Sequence, residues 1–284
     1  MKQAIFRLGQ RTVGAKLTAI TLSLVALLFV AAIVLIGHLT SSVLEQHSLA
    51  QMQNETNDVV NMIEMFDRSE TSQVERFANM LGNEFPDRFS LDHDHSILIG
   101  DKTTPVLRNG NTDLNLNFSI PDRIMASTGV AMTIFAKTGD DFVRISTSLK
   151  KENGDRAVGT LLDRKHPGYA ALLADKPYTG IAKLFGKQYI TKYVPLKDAG
   201  GQLVGILFVG VDISEDIKSL FAKIKALKVG ESGYFSVYNA NPGPDFGTLL
   251  AGPEDQGKIL LERKDTDGKE FIKEMLTQQQ GVMR

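Results

Sequence analysis

No cysteine occurs among the 284 residues. That absence removes disulfides, thiol nucleophiles and thiolate metal sites together, and it permits an oxidising compartment without requiring one. Net charge is also nearly absent. Thirty-two basic residues stand against 33 acidic ones, and beyond the N-terminus the basic side chains are scattered, so nothing global argues for nucleic acid as a partner. Catalytic signatures are missing as well: there is no Gly-x-Ser-x-Gly elbow, no phosphate-binding loop and no dinucleotide fingerprint. What the chain does have is 43% hydrophobic side chains, enough to bury one large core or two modest ones.

The first long feature is an apolar run from Leu17 to Ile36, interrupted only by Thr18, Thr21 and Ser23 and preceded by Lys2, Arg7, Arg11 and Lys16. Roughly 20 apolar residues at about 1.5 Å rise cross a ~30 Å hydrocarbon layer, and the basic flank stays cytoplasmic. A cytoplasmic segment 1–16 and a transmembrane helix 17–37 are therefore expected, with the rest exported. The alternatives are a cleavable signal peptide, whose apolar region is about 7–15 residues long, and a buried helix of a soluble protein. From His38 to Asn83 there is no proline and, before Gly82, no glycine. Met52, Val59, Ile63, Phe66, Val74, Phe77 and Leu81 recur mostly at spacings of three, four or seven, the period of a helix with one apolar stripe. This reads as a stalk helix, 38–83, packing against a second copy of itself or against the domain above. A helix packed only within its own domain stays open, since the heptads are imperfect.

After Pro86 the texture shortens. Ile97–Asp101 and Val106–Asn111 look like strands with tight turns, and stronger strand candidates follow at Ala131–Ala136, Asp141–Leu149, Tyr189–Pro195 and Leu203–Val211. Turns fit Lys137–Asp140, Glu152–Asp155 and Asp198–Gly201, which implies an antiparallel sheet. Leu203–Val211 is apolar on both parities and reads as a central strand covered on both faces, with glycines permitting close packing. Ser214-Glu215-Asp216 opens a linking helix, 214–228, that stops near Gly230. Strand texture then resumes at Gly233–Tyr238 and Thr248–Ala251. Gly159-Thr160-Leu161-Leu162 and Gly247-Thr248-Leu249-Leu250 form a four-residue echo of a repeated strand-rich module. Too few strands follow to complete a second sheet, so the sequence is expected to be truncated.

The segments Asp141–Lys151, Arg156–Asp163, Tyr178–Gly180, Leu184–Tyr189, Thr191–Tyr193, Gly205–Asp212 and Lys228–Tyr234, in that order, resemble the Cache 3/Cache 2 fusion region of bacterial methyl-accepting chemotaxis proteins. The resemblance covers roughly residues 80–284. It implies an α+β fold: PAS-like antiparallel sheets on a long helix, with a first Cache-like module at 84–213 and the start of a second, incomplete one at 229–284. It also implies an extracytoplasmic, periplasmic sensor anchored in the inner membrane, followed in the intact protein by a second membrane helix, a HAMP linker and a signalling domain that engages cytoplasmic partners. One departure is visible: where relatives commonly carry a His-Pro pair after the strand of the second module, this chain reads Ala251-Gly252-Pro253.

Candidate site residues come from strand parity. Arg144, Ser146 and Ser148 share one face of a strand whose Val143, Ile145 and Leu149 look core-facing. An arginine flanked by hydroxyls can grip a carboxylate through forked, charge-assisted bonds; an ordinary solvent-facing arginine is the alternative. Tyr189, Thr191 and Tyr193 share one face of the next patterned strand and can line a pocket or simply pack. Lys192 faces the other side and is expected to be exposed. Asp212, past the central strand, can contact a ligand amine or the following helix, for which Ser214 already offers a cap. Asp92-His93-Asp94-His95 reads as a polar turn, a zinc pair without an evident third ligand being the alternative. His38, His47 and His166 are isolated.

The expected function is ligand sensing without catalysis or cofactor: a small polar molecule, an organic anion by the arginine, binds outside the cytoplasm, and a homodimer formed through the stalk transmits the change. A diguanylate cyclase or histidine kinase output, an anchored binding module, and a membrane-anchored metalloenzyme using the Asp-His-Asp-His segment are the rivals.

Overall fold

A computed structural model describes residues 13–278. The basic residues Lys2, Arg7 and Arg11 and the terminal stretch 279–284 lie outside the described residues. The chain divides into two compact units, Met1–Val60 and Asn61–Arg284.

Among the described residues the first unit is helical. It holds the start of helix α1, Val13–Gly82, the one helix among the described residues long and apolar enough to cross a bilayer. Its large apolar side chains, from Leu17 through Leu35 to Leu44, are exposed.

In the second unit α1 ends at Gly82, and Asn83, Glu84 and Phe85 donate backbone N–H groups to the carbonyls three residues back, satisfying the last turn before Pro86. Val74, Ala78 and Leu81 are buried in the main core, with Phe77 against it. This part of the apolar stripe is therefore used by the domain itself, because fully burying a side chain such as Leu81 gains about 1.5–3 kcal/mol.

A three-stranded meander follows: β1 (Phe89–Ile99), β2 (Lys102–Asn109) and β3 (Thr112–Asp113), in that spatial order. Helix α2 (Ser119–Thr128) leads to a five-stranded antiparallel sheet made of β4 (Ala131–Thr138), β5 (Asp141–Thr147), β6 (Tyr178–Leu184), β7 (Lys187–Lys197) and β8 (Leu203–Asp212), with helix α3 (Pro167–Leu173) between β5 and β6. The order across the sheet is β5-β4-β8-β7-β6. β8 is thus central, as its two apolar parities require. A Cβ at Gly205 would run into the Phe135 carbonyl, so this strand crossing needs glycine.

Alternation sorts the sheet into two faces. Met132, Ile134, Val143, Ile145, Ile190 and Val209 join α1, β1, β2 and α2 in one core. Phe135, Phe142, Tyr189, Tyr193, Ile206 and Phe208 join Tyr169 and Leu172 of α3 and the loop residues Ala157 and Leu162 in the other. The sheet is a middle layer with both faces covered.

Helix α4 (Ser214–Ala226) comes next, with Leu227 already extended at φ −70° and ψ 137°. The helix therefore stops before Gly230, which instead turns the hairpin of β9 (Lys228–Val229) and β10 (Gly233–Tyr234) at φ +59°. β11 (Val237–Tyr238) pairs with β12 (Leu249–Ala251), and helix α5 (Phe271–Gln278) closes the described chain. The fold is α+β: a long N-terminal apolar helix followed by antiparallel sheets.

Candidate functional site

Arg144 is the centre of the site. It sits on β5 opposite Phe135, on the sheet face where Phe142 and Phe135 are buried, and is itself only 5% exposed. One terminal nitrogen donates to the Thr160 hydroxyl at 2.9 Å, and that hydroxyl donates in turn to the Ala157 carbonyl. The Nε–H has no partner. The guanidinium carbon lies 5.0 Å from the Phe135 ring centroid and 5.5 Å from that of Phe185, both within cation–π range. Burial pulls its pKa down to about 10, so it stays cationic at neutral pH. Among the described residues no carboxylate pairs with it, and the titratable group beside it is the neutral Tyr193 phenol. A buried cation with an orphan donor is costly unless an anion completes it. The solvent-facing arginine that parity left open is excluded.

Ser146 does not join Arg144. Ile134 pairs with Ser146 and Phe135 with Arg144, so Ile145 is an extra residue, a β-bulge. The bulge turns Ser146 onto the face of Ile134, the opposite side of the sheet, where its hydroxyl donates to the Asn117 carbonyl at 2.5 Å. Thr147, not Ser146, follows Arg144 on the site face; its hydroxyl lies 2.6 Å from that of Thr133.

Tyr189, Thr191 and Tyr193 do share one buried face of β7. Thr191 is committed, donating to the Gly180 carbonyl at 2.7 Å. Tyr193 packs against Phe208 with ring centroids 5.0 Å apart, and burial pushes its phenol up to about 12, opposed by the Arg144 charge. It is a neutral wall beside the guanidinium. Tyr189 lies at the rim and lines an open concavity of about 610 Å³ together with Ser148, Leu149 and Phe185.

Asp212 is opposite Tyr189 in the ladder. One carboxylate oxygen receives Lys187 Nζ at 2.7 Å, and the other accepts from the Ser214 backbone N–H at 3.1 Å and from its hydroxyl at 2.6 Å. Burial works against its charge, but these bonds hold its pKa below the usual carboxylate value. A ligand amine would have to displace Lys187. Ser214 is the first helical residue, not the cap: the cap position is Ile213, without a side-chain bond, and the Ser214 hydroxyl accepts from the Gln188 backbone N–H. Lys192 is on the other face, as its parity requires, yet it is not exposed: it meets Glu75 of α1 at 3.1 Å with 18% of its side chain accessible.

Several contributors lay outside the parity argument. Phe135 and Thr160 hold the guanidinium, and Phe185 covers it from the β6–β7 turn. His166 caps α3, its Nδ1 accepting from the Gly168 N–H at 3.1 Å, with its ring 5.0 Å from Tyr193 and 5.3 Å from Tyr178. Burial lowers its pKa, against the pull of Asp163. The Asp-His-Asp-His segment is a bulge of β1 between Asp92 and Ser96. There Asp92 accepts from Arg108 at 2.7 Å and lies 2.9 Å from His95 Nδ1, and among the described residues no group of three or more ligating side chains could hold a metal.

No curated protein matches the chain in sequence. Among solved structures, the Escherichia coli DcuS sensor domain aligns at 14% identity over 36% of this chain and 70% of its own, with a TM-score of 0.28. The ligand-binding domain of the Pseudomonas aeruginosa PAO1 amino acid chemoreceptor PctC, in complex with GABA, aligns at 20% identity over 52% of this chain, with a TM-score of 0.29. A structure of methyl-accepting chemotaxis protein X aligns at 14% identity over 56% of this chain, with a TM-score of 0.27. The chain spans 60% and 64% of those last two domains, less than two thirds of either. A family profile for the Cache 3/Cache 2 fusion domain matches residues 38–284, nearly the whole chain beyond the apolar run, so this chain belongs to the Cache 3/Cache 2 fusion domain family.

Proposed function

We propose that this chain is the ligand-sensing part of a transmembrane chemoreceptor and that its first module, 84–213, binds a small organic anion at Arg144. One observation carries the reading: a guanidinium buried among aromatic rings, cationic at neutral pH, with an unpartnered Nε–H and no carboxylate partner among the described residues. A ligand carboxylate would satisfy that donor and neutralise that charge. Tyr193 and Phe135 supply the apolar walls that strengthen the bond by excluding water.

In this reading α1 anchors the protein in the inner membrane, the basic N-terminus stays inside and the sheets lie in the periplasm. The module takes no part in catalysis and uses no cofactor. Signalling requires that the anion bind one conformation better than another. β7 offers a route: Tyr193 faces the site, while the adjacent Lys192 is ion-paired to Glu75 of α1, so a shift of the strand reaches the helix directly. A homodimer through α1 and cytoplasmic signalling partners complete the scheme.

The test is a thermal-shift screen of the full chain in lipid nanodiscs against carboxylates, amino acids, purines and polyamines. A ligand at 100 times its Kd adds about 2.7 kcal/mol to the folded state. Stabilisation by carboxylates in the wild type but not in Arg144→Gln supports the proposal; stabilisation that survives the substitution contradicts it.

A further inference from the structure

The concavity beside Arg144 is bordered by more positive charge than one carboxylate needs. Lys150 and Lys151 follow β5 into its wall, and Lys187 enters from the start of β7. Lys187 is ion-paired to Asp212. Lys150 and Lys151 have no ion pair among the described residues. The one carboxylate on the wall is Glu152, near the hairpin tip, where a Cβ on Gly186 would lie 3.4 Å from its Oε1.

Phe185 divides this outer rim from the inner cation. It belongs to a two-residue turn between the paired Leu184 and Lys187, with φ +49° at Phe185 and +83° at Gly186. A bulky side chain is disfavoured in that backbone region. Its ring both lines the concavity and stands 5.5 Å from the Arg144 guanidinium. Phe185 thus borders both the concavity, with its lysines, and the inner guanidinium.

We infer that the ligand carries two separated anionic groups: the inner one completes Arg144 and the outer one takes the place of solvent beside Lys150 and Lys151, with Phe185 as the movable wall between them. This rests on the anion reading of Arg144 and narrows it to dianions such as α,ω-dicarboxylates. The two ends are held differently. The inner contact is desolvated and keeps its strength in salt, whereas the outer one is screened over about 10 Å at 0.1 M salt.

Calorimetric titration of the full chain in nanodiscs tests this, using dicarboxylates from malonate to adipate and the monocarboxylates of matching length. At least one dicarboxylate is expected to bind about tenfold or more tightly than its monocarboxylate. The double substitution Lys150→Ala/Lys151→Ala should remove that margin and leave the monocarboxylate unchanged, raising salt should shrink it, and Glu152→Gln should widen it. Equal affinities within each pair, or a margin indifferent to both lysines, would overturn the inference while binding that depends on Arg144 persists. If no acid binds and Arg144→Gln changes nothing, the anion reading fails and takes this inference with it.

Discussion

Two loops in this chain are built alike and differ in what they hold. In the first module Gly159, at φ +77°, donates its N–H to the Arg144 carbonyl, and the Arg144 N–H donates to the Thr160 carbonyl. In the later segment Gly247, at φ +80°, donates to the Asn239 carbonyl, and the Asn239 N–H donates to the Thr248 carbonyl. The next residues also correspond: Val143 bridges to Leu161, and Tyr238 pairs with Leu249. In each, the threonine hydroxyl donates to the carbonyl three residues before it, Ala157 or Asp245. Asn239 is thus the backbone counterpart of Arg144. Their side chains diverge: the Asn239 amide donates to the Asp245 carbonyl and accepts from the Asn241 N–H within its own loop, whereas Arg144 keeps a buried orphan donor and a full charge. The same backbone device ends in a side chain bonded to its own loop in one place and in a buried, unpartnered donor in the other.

The sharpest break between the loops is binding. Arg144→Ala should weaken carboxylate binding tenfold to a hundredfold, since a charged hydrogen bond contributes about 1.5–3 kcal/mol, while Asn239→Ala should leave it unchanged; calorimetry on both variants reads this. The glycines separate the loops by a smaller amount. Alanine at either left-handed position costs roughly 1–2 kcal/mol, but at Gly159 its Cβ would meet backbone that cannot give, the Ile99 carbonyl at 3.0 Å, whereas at Gly247 the contact, though closer, is to the Leu261 side chain, which can rotate away. Gly159→Ala should therefore lower the denaturation midpoint more, and equal losses would show that the first loop is not held by backbone. Ser146→Ala should cost about 1–2 kcal/mol by leaving the Asn117 carbonyl without its donor, with no effect on binding, because the bulge removes Ser146 from the site.

The smallest effect belongs to pH. The folded pKa of His166 is lowered below its unfolded value, first by burial, so the stability it contributes is present above the unfolded value of 6.5 and is lost as pH falls through the folded one. Protonation places a hydrogen on the Nδ1 that caps α3, between Tyr178, Tyr193 and Asp163. The melting temperature should fall between pH 7 and pH 5 in the wild type and fall less in His166→Asn, which keeps a capping oxygen.

How far these elements were legible in the sequence follows from what sets them. β4, β5, β7 and β8 were, because their apolar patterns report burial on one or both faces. β6 was not: it is an edge strand, half exposed along its length, and its pattern is correspondingly faint. Helices α2 and α3 are short and were missed for the same reason. Arg144 was found by residue type and parity, but parity fails at a bulge, and nothing in Arg-Ile-Ser-Thr announces that Ile145 is the extra residue. Lys192 was placed on the correct face and given the wrong environment, since only the fold brings Glu75 of α1 across it. The loop echo was visible as four letters, yet its meaning needed the hydrogen bonds. Phe185 in a left-handed turn is a property of the hairpin, not of the residue.

The most direct test of the central claim is an NMR titration of the Arg144 Nε–H resonance, assigned by its loss in Arg144→Lys, in the full chain with succinate. A buried, unpartnered donor that accepts a carboxylate should shift downfield and saturate with the same Kd that calorimetry gives, while the Asn239 amide signals stay still. If succinate binds and the Arg144 resonance does not move, the anion sits elsewhere and the account is wrong.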